Sequence, residues 1–296
     1  MDLRVLNYFL AVAREENFTR AAQMLHVTQP TLSRQIAQLE EELGVELFTR
    51  GNHNIILTED GMILKRRAQE MLTLAEKTRQ DLRHPEEELS GKIAIGSGEF
   101  KSTSILSQII AAFSEKHPLV QYEIYSGNTD NIRDYIERGF LDMGLMAEPI
   151  DIRKYDFIPM PVKEKWGAWI CTDSVLAEKE WIQPEDLMEE RLIVAAGDFV
   201  KSRIGQWMGN YMEQADIIAE GNLLYNEMML AKSKLGVVLG IDLDYTYEGL
   251  RFIPLYPTLE ISTVLAWKKE QIFTSVTSTF LAFARQYKKV ISNDKL

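Results

Sequence analysis

Residues 18–50 read FTRAAQMLHVTQPTLSRQIAQLEEELGVELFTR and predict two short helices joined by a tight turn. The first helix is expected over residues 19–25, with the turn at His26 and Val27. Thr28 is a good N-cap, because its hydroxyl can accept from a free backbone N–H. Pro30 falls in the first turn of the next helix, where its missing donor does no harm. The second helix is therefore predicted to begin directly after this cap.

The second helix has one apolar and one polar face. Leu32, Ile36, Leu39 and Leu43 recur at steps of four, three and four, which predicts a stripe that faces the core, and Gly44 is expected to end the helix. The opposite face is short and rich in hydrogen-bonding groups. Such a face fits the DNA major groove, where each good bidentate pair to a base gives roughly 1–3 kcal/mol of discrimination. Two short helices with a turn also occur in folds that bind no nucleic acid, so the interpretation needs further support.

That support is a family resemblance. The segment resembles the N-terminal domain of LysR-type transcriptional regulators, a winged helix-turn-helix. The matching residues are Ala21, Ala22, Gln29, Pro30, Ser33, Arg34, Gln35, Ile36, Leu39, Glu40, Leu43 and Gly44, then Leu47, Phe48, Arg50, Leu57, Thr58 and Gly61. The chain departs from the family at the wing tip, where His53 replaces a common arginine, and a neutral histidine attracts phosphate less. The residues expected to contact DNA are Thr19, Arg20, Thr28, Gln29, Pro30, Thr31, Ser33, Arg34, Gln38, Arg50 and His53.

The overall charge does not indicate a DNA-binding protein, because 33 basic and 44 acidic side chains give a net charge of −11. The acid is unevenly placed. Residues 1–84 hold 11 basic and 12 acidic side chains, which leaves 22 basic and 32 acidic ones for the remainder. Attraction to phosphate must therefore be local, with a steep dependence on salt. The candidate side chains are Arg20, Arg34, Arg50, Lys65, Arg66 and Arg67.

The length and composition predict a cytoplasmic protein of several folded units. A chain of 296 residues that is 46% hydrophobic can bury two or three cores. We expect no secretion signal, because residues 1–13 lack a basic leader, and no membrane span, because no apolar run approaches the roughly 20 residues required. The single cysteine, Cys171, excludes an intramolecular disulfide and is expected to be an inert buried thiol. We expect a DNA-binding domain over 1–60, a linker and dimerisation helix over 61–89, and an effector-binding domain over 90–296.

A long helix is predicted from Thr58 to about residue 83. At 1.5 Å per residue it is about 39 Å long, enough to pair with a second chain and hold two DNA-binding heads apart. A four-three spacing indicates a coiled-coil seam, although a surface helix packed on its own domain is the alternative. The residues of the seam are Leu64, Ala68, Met71, Ala75, Thr78 and Leu82. The resemblance implies dimerisation through this helix, and a homodimer or homotetramer is expected.

From Gly91 onward, strands and helices alternate, which predicts α/β architecture with a parallel sheet. A second, similar set of elements follows Val162, and the chain returns near residues 264–267 before a last helix over 272–290. Two crossings suggest two lobes with a cleft between them, lobe I over 90–162 and 266–296 and lobe II over 163–265. This half resembles the family's effector-binding domain, which is similar to type 2 periplasmic binding proteins. The matching residues are Gly96, Phe113, Pro118, Gly127, Gly139, Leu141, Asp142, Leu235 and Gly236.

The cleft is expected to bind a small-molecule effector. The loop over 97–104 follows the first strand and opens a helix, so its N–H groups and hydroxyls can bind an anion, and Lys101 adds a positive charge. An anionic metabolite is therefore expected, although Glu99 in the same loop could instead select an amine or an amino acid. Simple helix capping is the alternative role for each polar residue. The residues expected to border the effector are Lys101, Ser102, Thr103, Asn128, Thr129, Phe199, Lys201 and Asn222.

Three rival functions have weaker support. The run from Gly96 begins like a dinucleotide fingerprint, but its sixth position is Lys101 instead of glycine. The four histidines are scattered, and neither a metal-ligand spacing nor a nucleophile elbow is visible, so we expect no enzymatic activity, no metal and no cofactor. A solute-binding receptor would suit the bilobed half but not the N-terminal one. The sequence thus favours a transcriptional regulator that binds double-stranded DNA and a small-molecule effector.

Overall fold

The computed structural model of the chain describes residues 2–50, 55–81 and 89–293. Contacts within it separate two units, Met1–His84 and Pro85–Leu296, which we describe in turn. The wing-tip residue His53 and the seam residue Leu82 lie outside the described residues, as does the side chain of Arg50.

The first unit is a bundle of helices with a small antiparallel β-ribbon. Its elements are α1 (Leu3–Glu15), α2 (Phe18–Met24), α3 (Gln29–Leu43), β1 (Phe48–Arg50), β2 (Ile55–Leu57) and α4 (Glu59–Asp81). Ala21 and Ala22 are almost completely buried, because their small side chains let α2 pack closely against its neighbours. The fold class is thus the predicted winged helix-turn-helix, with β1 and β2 as the wing strands.

The turn and the ends of α3 follow from local sequence. His26 adopts a left-handed conformation, with φ of 54°, between α2 and α3. The Thr28 side chain accepts from Thr31 N, and Gly44, with φ of 70°, ends the helix in the left-handed region that favours glycine.

The predicted apolar stripe of α3 is correct in part. Leu32, Ile36 and Leu39 are fully buried in the core of the first unit. Leu43 is 39% exposed, so its predicted burial was wrong. It is the last residue of α3 and lies beyond the end of the core that α3 helps to form.

The long helix α4 begins after Thr58, whose hydroxyl accepts from Gly61 N at 3.0 Å. Ala68 of the predicted seam is fully buried in the core of the first unit, and Leu64 and Met71 pack against the same core. The first half of the predicted seam is therefore packed on the chain's own domain, which was the alternative to a coiled coil.

The second unit contains two α/β lobes. Its strands are β3 (Gly91–Ser97), β4 (Val120–Ser126), β5 (Met143–Ala147), β6 (Tyr155–Cys171), β7 (Arg191–Ala195), β8 (Asp216–Gly221), β9 (Val237–Ile241), β10 (Leu250–Pro254) and β11 (Glu260–Lys268). Its α-helices are α5 (Thr103–Lys116), α6 (Thr129–Glu137), α7 (Asp198–Met208), α8 (Leu224–Lys232) and α9 (Ser275–Asn293). Short 3-10 helices occupy Val175–Glu178, Pro184–Leu187 and Gly209–Gln214.

The strands form one mixed sheet that runs through both lobes, in the order β4-β3-β5-β11-β6-β9-β7-β8, with β10 also paired to β6. In the first lobe β3 is parallel to β4 and β5, and in the second β7 is parallel to β8 and β9, as predicted. The predicted parallel pairing holds within each lobe, but the sheet as a whole is mixed, because the two crossing strands, β6 and β11, are antiparallel to their neighbours. Both lobes bury apolar side chains on each face of the sheet.

We predict that Gly61→Ala destabilises the first unit by about 2 kcal/mol, since overpacking costs typically 1–3 kcal/mol. An added Cβ at this position would lie 2.2 Å from the carbonyl oxygen of Leu47, which is backbone and cannot move aside cheaply. Urea unfolding followed by circular dichroism measures the effect. Gly205→Ala in α7, where the nearest atom is 3.9 Å from the added carbon, is the control and should not destabilise. Equal stability of Gly61→Ala and the wild type would contradict the prediction.

Candidate functional site

The first turns of α3 present a polar surface. Thr28, Gln29, Pro30, Thr31, Arg34 and Gln38 are exposed, and Ser33 is half-buried. Several of these side chains hold one another in place: the Thr28 and Thr31 hydroxyls are 2.8 Å apart, and Gln29 Nε2 donates to Ser33 Oγ at 2.8 Å. The Arg34 guanidinium has no ion pair within the described part of the chain. Because the opposite face of α3 is buried, this surface is fixed in direction and open to a partner.

The start of α2 lies exposed as well. Thr19 and Arg20 are exposed, and both of their backbone N–H groups donate to Asn17 Oδ1, at 2.9 and 3.0 Å. The Arg20 guanidinium donates to the Glu15 carbonyl at 2.6 Å. Sequence reasoning missed Asn17 as the N-cap of α2, although an asparagine directly before a helical segment is a usual signal.

A cavity lies between the two lobes of the second unit. From the first lobe it is lined by Gly98, Glu99, Phe100, Gly127, Asn128, Thr129 and Ala147, from the crossing strands by Trp166 and Ile261, and from the second lobe by Ala195, Ala196, Phe199, Val200, Asn222, Leu224, Glu227, Gly240 and Ile241. The structure brings four predicted effector residues together here, Asn128, Thr129, Phe199 and Asn222.

The other four predicted effector residues do not line this cavity. Lys101 forms an ion pair with Asp244, and Lys201 forms one with Glu220 at 3.0 Å. Ser102 is fully buried. The Thr103 hydroxyl accepts from Phe100 N at 3.3 Å and so stabilises the turn before α5. The Thr103 hydroxyl therefore has the alternative role given above, a local hydrogen bond at the start of a helix.

Two of the backbone donors that were expected to bind an anion are already occupied by a carboxyl group of the protein. Glu164, on β6, accepts from Lys101 N at 2.8 Å, from Ser102 N at 3.1 Å and from Ser102 Oγ at 2.6 Å. Across the cavity, Glu99 accepts from Leu224 N at the start of α8. The sequence predicts that this helix begins at Asn222, which is wrong, because α8 starts at Leu224. The N–H of Leu224 binds a carboxyl group from the other lobe. Among the described residues that line the cavity there is neither lysine nor arginine, so no side-chain cation on its walls attracts an anionic ligand.

Two predicted residues hold the edge of the cavity in place. Asn128 is the N-cap of α6, where Oδ1 accepts from Asn131 N at 2.9 Å, and its Nδ2 donates across the cleft to the Ala196 carbonyl at 3.2 Å. The Thr129 hydroxyl accepts from Ala147 N at 3.2 Å and is almost buried. The cleft is therefore bridged by hydrogen bonds from two first-lobe side chains, those of Glu99 and Asn128.

The most unusual side chain in the cavity is Glu227, which sequence reasoning missed. It lies in the first turn of α8, is 1% exposed, and neither of its carboxyl oxygens has a hydrogen-bond partner within the described structure. Burial, together with repulsion from Glu99, raises the pKa of Glu227 to about 7. Burial also raises the pKa of Glu99, although its backbone hydrogen bonds oppose the shift. The signal in the sequence was a glutamate placed at helical spacing between the apolar residues Leu224 and Met228.

Trp166 was also missed, and it too lines the cavity. It is almost fully buried, and its Nε1–H has no acceptor within the described structure. In the described ranges, no cluster of three or more His, Cys, Asp or Glu side chains could hold a metal ion. In the same ranges no helix is long and apolar enough to cross a membrane.

These two units define a DNA-binding regulator with a ligand-binding domain, and comparison with known families agrees. Residues 3–62 match the family of bacterial regulatory helix-turn-helix proteins, lysR family, and residues 86–289 match the LysR substrate binding domain. The chain belongs to the LysR family of transcriptional regulators. The match to both parts does not support a solute receptor without gene control.

The similar proteins include regulators from Escherichia coli and Bacillus subtilis. The chain is 29% identical over 279 residues to the Hca operon transcriptional activator HcaR of Escherichia coli, covering 92% of this chain and 93% of that protein. It is 26% identical to the uncharacterized HTH-type regulator YybE of Bacillus subtilis, covering 95% and 97%. Among solved structures, CbnR with its target DNA superposes with a TM-score of 0.73 at 18% identity, covering 97% of this chain and 100% of that one. Full-length BenM superposes with a TM-score of 0.56 at 23% identity, covering 100% of this chain and 98% of that one. These structural matches show the shared fold.

We predict that Glu164→Ala destabilises the second unit by about 3 kcal/mol, because an unsatisfied buried donor costs about 1–3 kcal/mol. The variant leaves the N–H groups of Lys101 and Ser102 without their acceptor. Urea unfolding of the full chain measures the loss. Glu260→Ala, an exposed glutamate of β11, is the control and should change stability little. A Glu164→Ala protein as stable as this control would contradict the role of the buried carboxyl group.

We also predict a pH dependence from Glu227. Its pKa is about 7 in the folded chain and 4.5 without burial, so the folded state holds a proton that the unfolded state has lost. The wild type should therefore lose up to about 3 kcal/mol relative to Glu227→Gln as the pH rises from 4.5 to above 7. Urea unfolding of both proteins across this range measures the difference. A difference that does not change with pH would refute the raised pKa.

Proposed function

We propose that this protein is a cytoplasmic regulator that reads operator DNA with α3, acts as a homodimer or homotetramer, and changes its DNA binding when a small molecule occupies the cavity between the lobes. The observation that carries the proposal is the exposed polar surface of α3 on a helix whose other face is buried. A fixed, exposed helix start with short polar side chains suits insertion into the major groove.

Roles of the individual side chains follow from where they lie. Arg34 and Gln29 are suited to hydrogen bonds with base edges, since arginine pairs with guanine and glutamine with adenine. Thr19 and Arg20, at the exposed start of α2, are suited to phosphate contacts, together with Thr28, Pro30, Thr31, Ser33 and Gln38 around the groove. Arg50 and His53 are proposed from the sequence alone. The related protein CbnR was solved with its target DNA, which supports this mode of binding.

Assembly into a homo-oligomer is proposed to involve α4. Its predicted seam is partly covered by the first unit, but another face exposes Ile63 at 48% and Leu74 at 42%. These residues are eleven positions apart and so lie on one side of the helix. We infer that this exposed face, instead of the predicted seam alone, meets the partner chain. The proposed domains are those expected from the sequence, 1–60, 61–89 and 90–296, with the lobes at 90–162 plus 266–296 and 163–265.

The effector is proposed to act by shifting the chain between two arrangements. A ligand can do so only if it binds one arrangement more tightly than the other. Asn128, Thr129, Phe199 and Asn222 line the cavity and are the predicted residues that we retain as its contacts. We infer that the protein has no catalytic activity, because both matched family domains belong to regulators, and turnover of a bound metabolite would overturn this inference.

The proposal is tested by selecting preferred sequences from a randomised DNA duplex pool with the full chain. We predict that Arg34→Ala weakens binding to the selected sequence by about 1–3 kcal/mol and relaxes the choice of base at one position. Lys65→Ala, on α4, should weaken binding to selected and random DNA similarly, because a phosphate contact carries no sequence information. Fluorescence anisotropy titrations measure both.

Equal losses on selected and random DNA for Arg34→Ala would refute its role in reading bases. Failure of the wild-type chain to enrich any sequence would refute the proposed function as a whole.

A further inference from the structure

We propose that the effector is a small protonated amine whose ammonium group binds between Glu99 and Glu227. This inference rests on the proposed function, because it names the chemical class of the ligand for the same cavity. Of the two alternatives that the sequence left open, an anionic metabolite and an amine selected by Glu99, the observations below favour the amine.

The first observation is the state of Glu227. Both of its oxygens are buried without a hydrogen-bond donor in the described structure, and the side chain lines the cavity. Its carboxyl group packs closely against Gly221, where an added Cβ would lie 2.6 Å from Oε1. A buried polar group without a partner costs free energy that a bound donor recovers. Glu227 therefore has unused capacity to accept hydrogen bonds at the wall of the cavity.

The second observation is that Glu99 adds a second acid to the same site. Backbone N–H groups of Leu224 and Tyr225, at the start of α8, hold the Glu99 carboxyl group against the second lobe. Its charge acts on Glu227 strongly enough to contribute to the raised pKa of that residue. A positive charge between two carboxyl groups offsets their mutual repulsion and favours the ionised form of both. A bound ammonium supplies that charge and up to three N–H donors.

The third observation is that no protein cation supplies this charge. The residues that line the cavity include neither lysine nor arginine. The two lysines expected to border the effector, Lys101 and Lys201, have acidic partners of their own in Asp244 and Glu220. A carboxylate ligand would add negative charge beside Glu99 and Glu227, whereas an amine would stabilise the ionised form of both side chains. The charges on the walls of the cavity therefore favour a positively charged ligand.

The remaining walls indicate the body of the ligand. Phe100, Phe199 and Val200 provide apolar surface, and aromatic rings also attract cations. The Nε1–H of Trp166 lacks an acceptor, so a hydroxyl or carbonyl oxygen on the ligand would satisfy it. The ligand class is therefore an amine with a short apolar body and one hydrogen-bond acceptor.

The test compares matched ligands of opposite charge on the full-length protein by isothermal titration calorimetry. Benzylamine, butylamine and ethanolamine are the cationic probes, and benzoate, butyrate and glycolate are their anionic counterparts. At least one amine should bind about tenfold or more tightly than its counterpart. Glu227→Gln should weaken binding of that amine by about 10- to 100-fold, since it removes a charged hydrogen-bond partner. Glu99→Gln should weaken it as well.

Glu213→Gln is the matched control, an exposed acid of the second lobe that does not line the cavity, and it should leave amine binding unchanged. Carboxylates that bind as tightly as the amines, absence of amine binding, or unchanged binding in both Glu227→Gln and Glu99→Gln would each overturn the inference. DNA selection with the same preparation distinguishes failure of the proposed ligand class from failure of the proposed function. A protein that enriches a DNA sequence but binds no amine refutes the ligand class alone, whereas one that enriches none refutes the proposed function.

Discussion

One buried carboxyl group holds the second unit together where its lobes meet. Glu164 lies on β6 at the crossing and accepts from the backbone and hydroxyl of Ser102, whose hydroxyl also lies 2.7 Å from that of Thr263 on β11. The turn that opens α5 is thereby tied to both crossing strands. Because Glu99 and Phe100 directly precede this turn, their position at the edge of the cavity depends on the same bonds.

The use of acids at helix starts explains the character of the cleft. The start of a helix attracts negative charge, and an open one would suit an anionic ligand. Here the protein's own carboxyl groups fill that role, Glu164 at the turn before α5 and Glu99 at the start of α8. The cavity then offers a ligand two carboxyl groups that can accept hydrogen bonds, those of Glu227 and Glu99, together with apolar walls. A fold shared with other LysR regulators thus contains a cavity whose polarity is set by a few residues of this chain.

The sequence predicted the first unit well, because its signals are local. Thr28, Pro30 and Gly44 act within one turn of the residues they control, and the spacing of Leu32, Ile36 and Leu39 sets a buried face without reference to distant parts. The cavity was predicted less well. Ser102 bonds to Glu164, and Glu99 to Leu224, over separations of 62 and 125 residues that no local pattern reveals.

Missed strands have a similar cause. The sequence predicts a strand over residues 166–171 but not over the first part of β6. Pro159 and Pro161 argue against a strand in a sheet interior, yet both lie within it. β8 and β10 are short and gain their order from neighbouring strands. The continuity of β6 and β11 through both lobes has a mechanical consequence, because wide opening of the cleft would break the ladder that joins them. That ladder is irregular between Ser262 and Val264, close to Glu164, so a change of twist at this point would disturb fewer ladder hydrogen bonds than opening of the whole cleft.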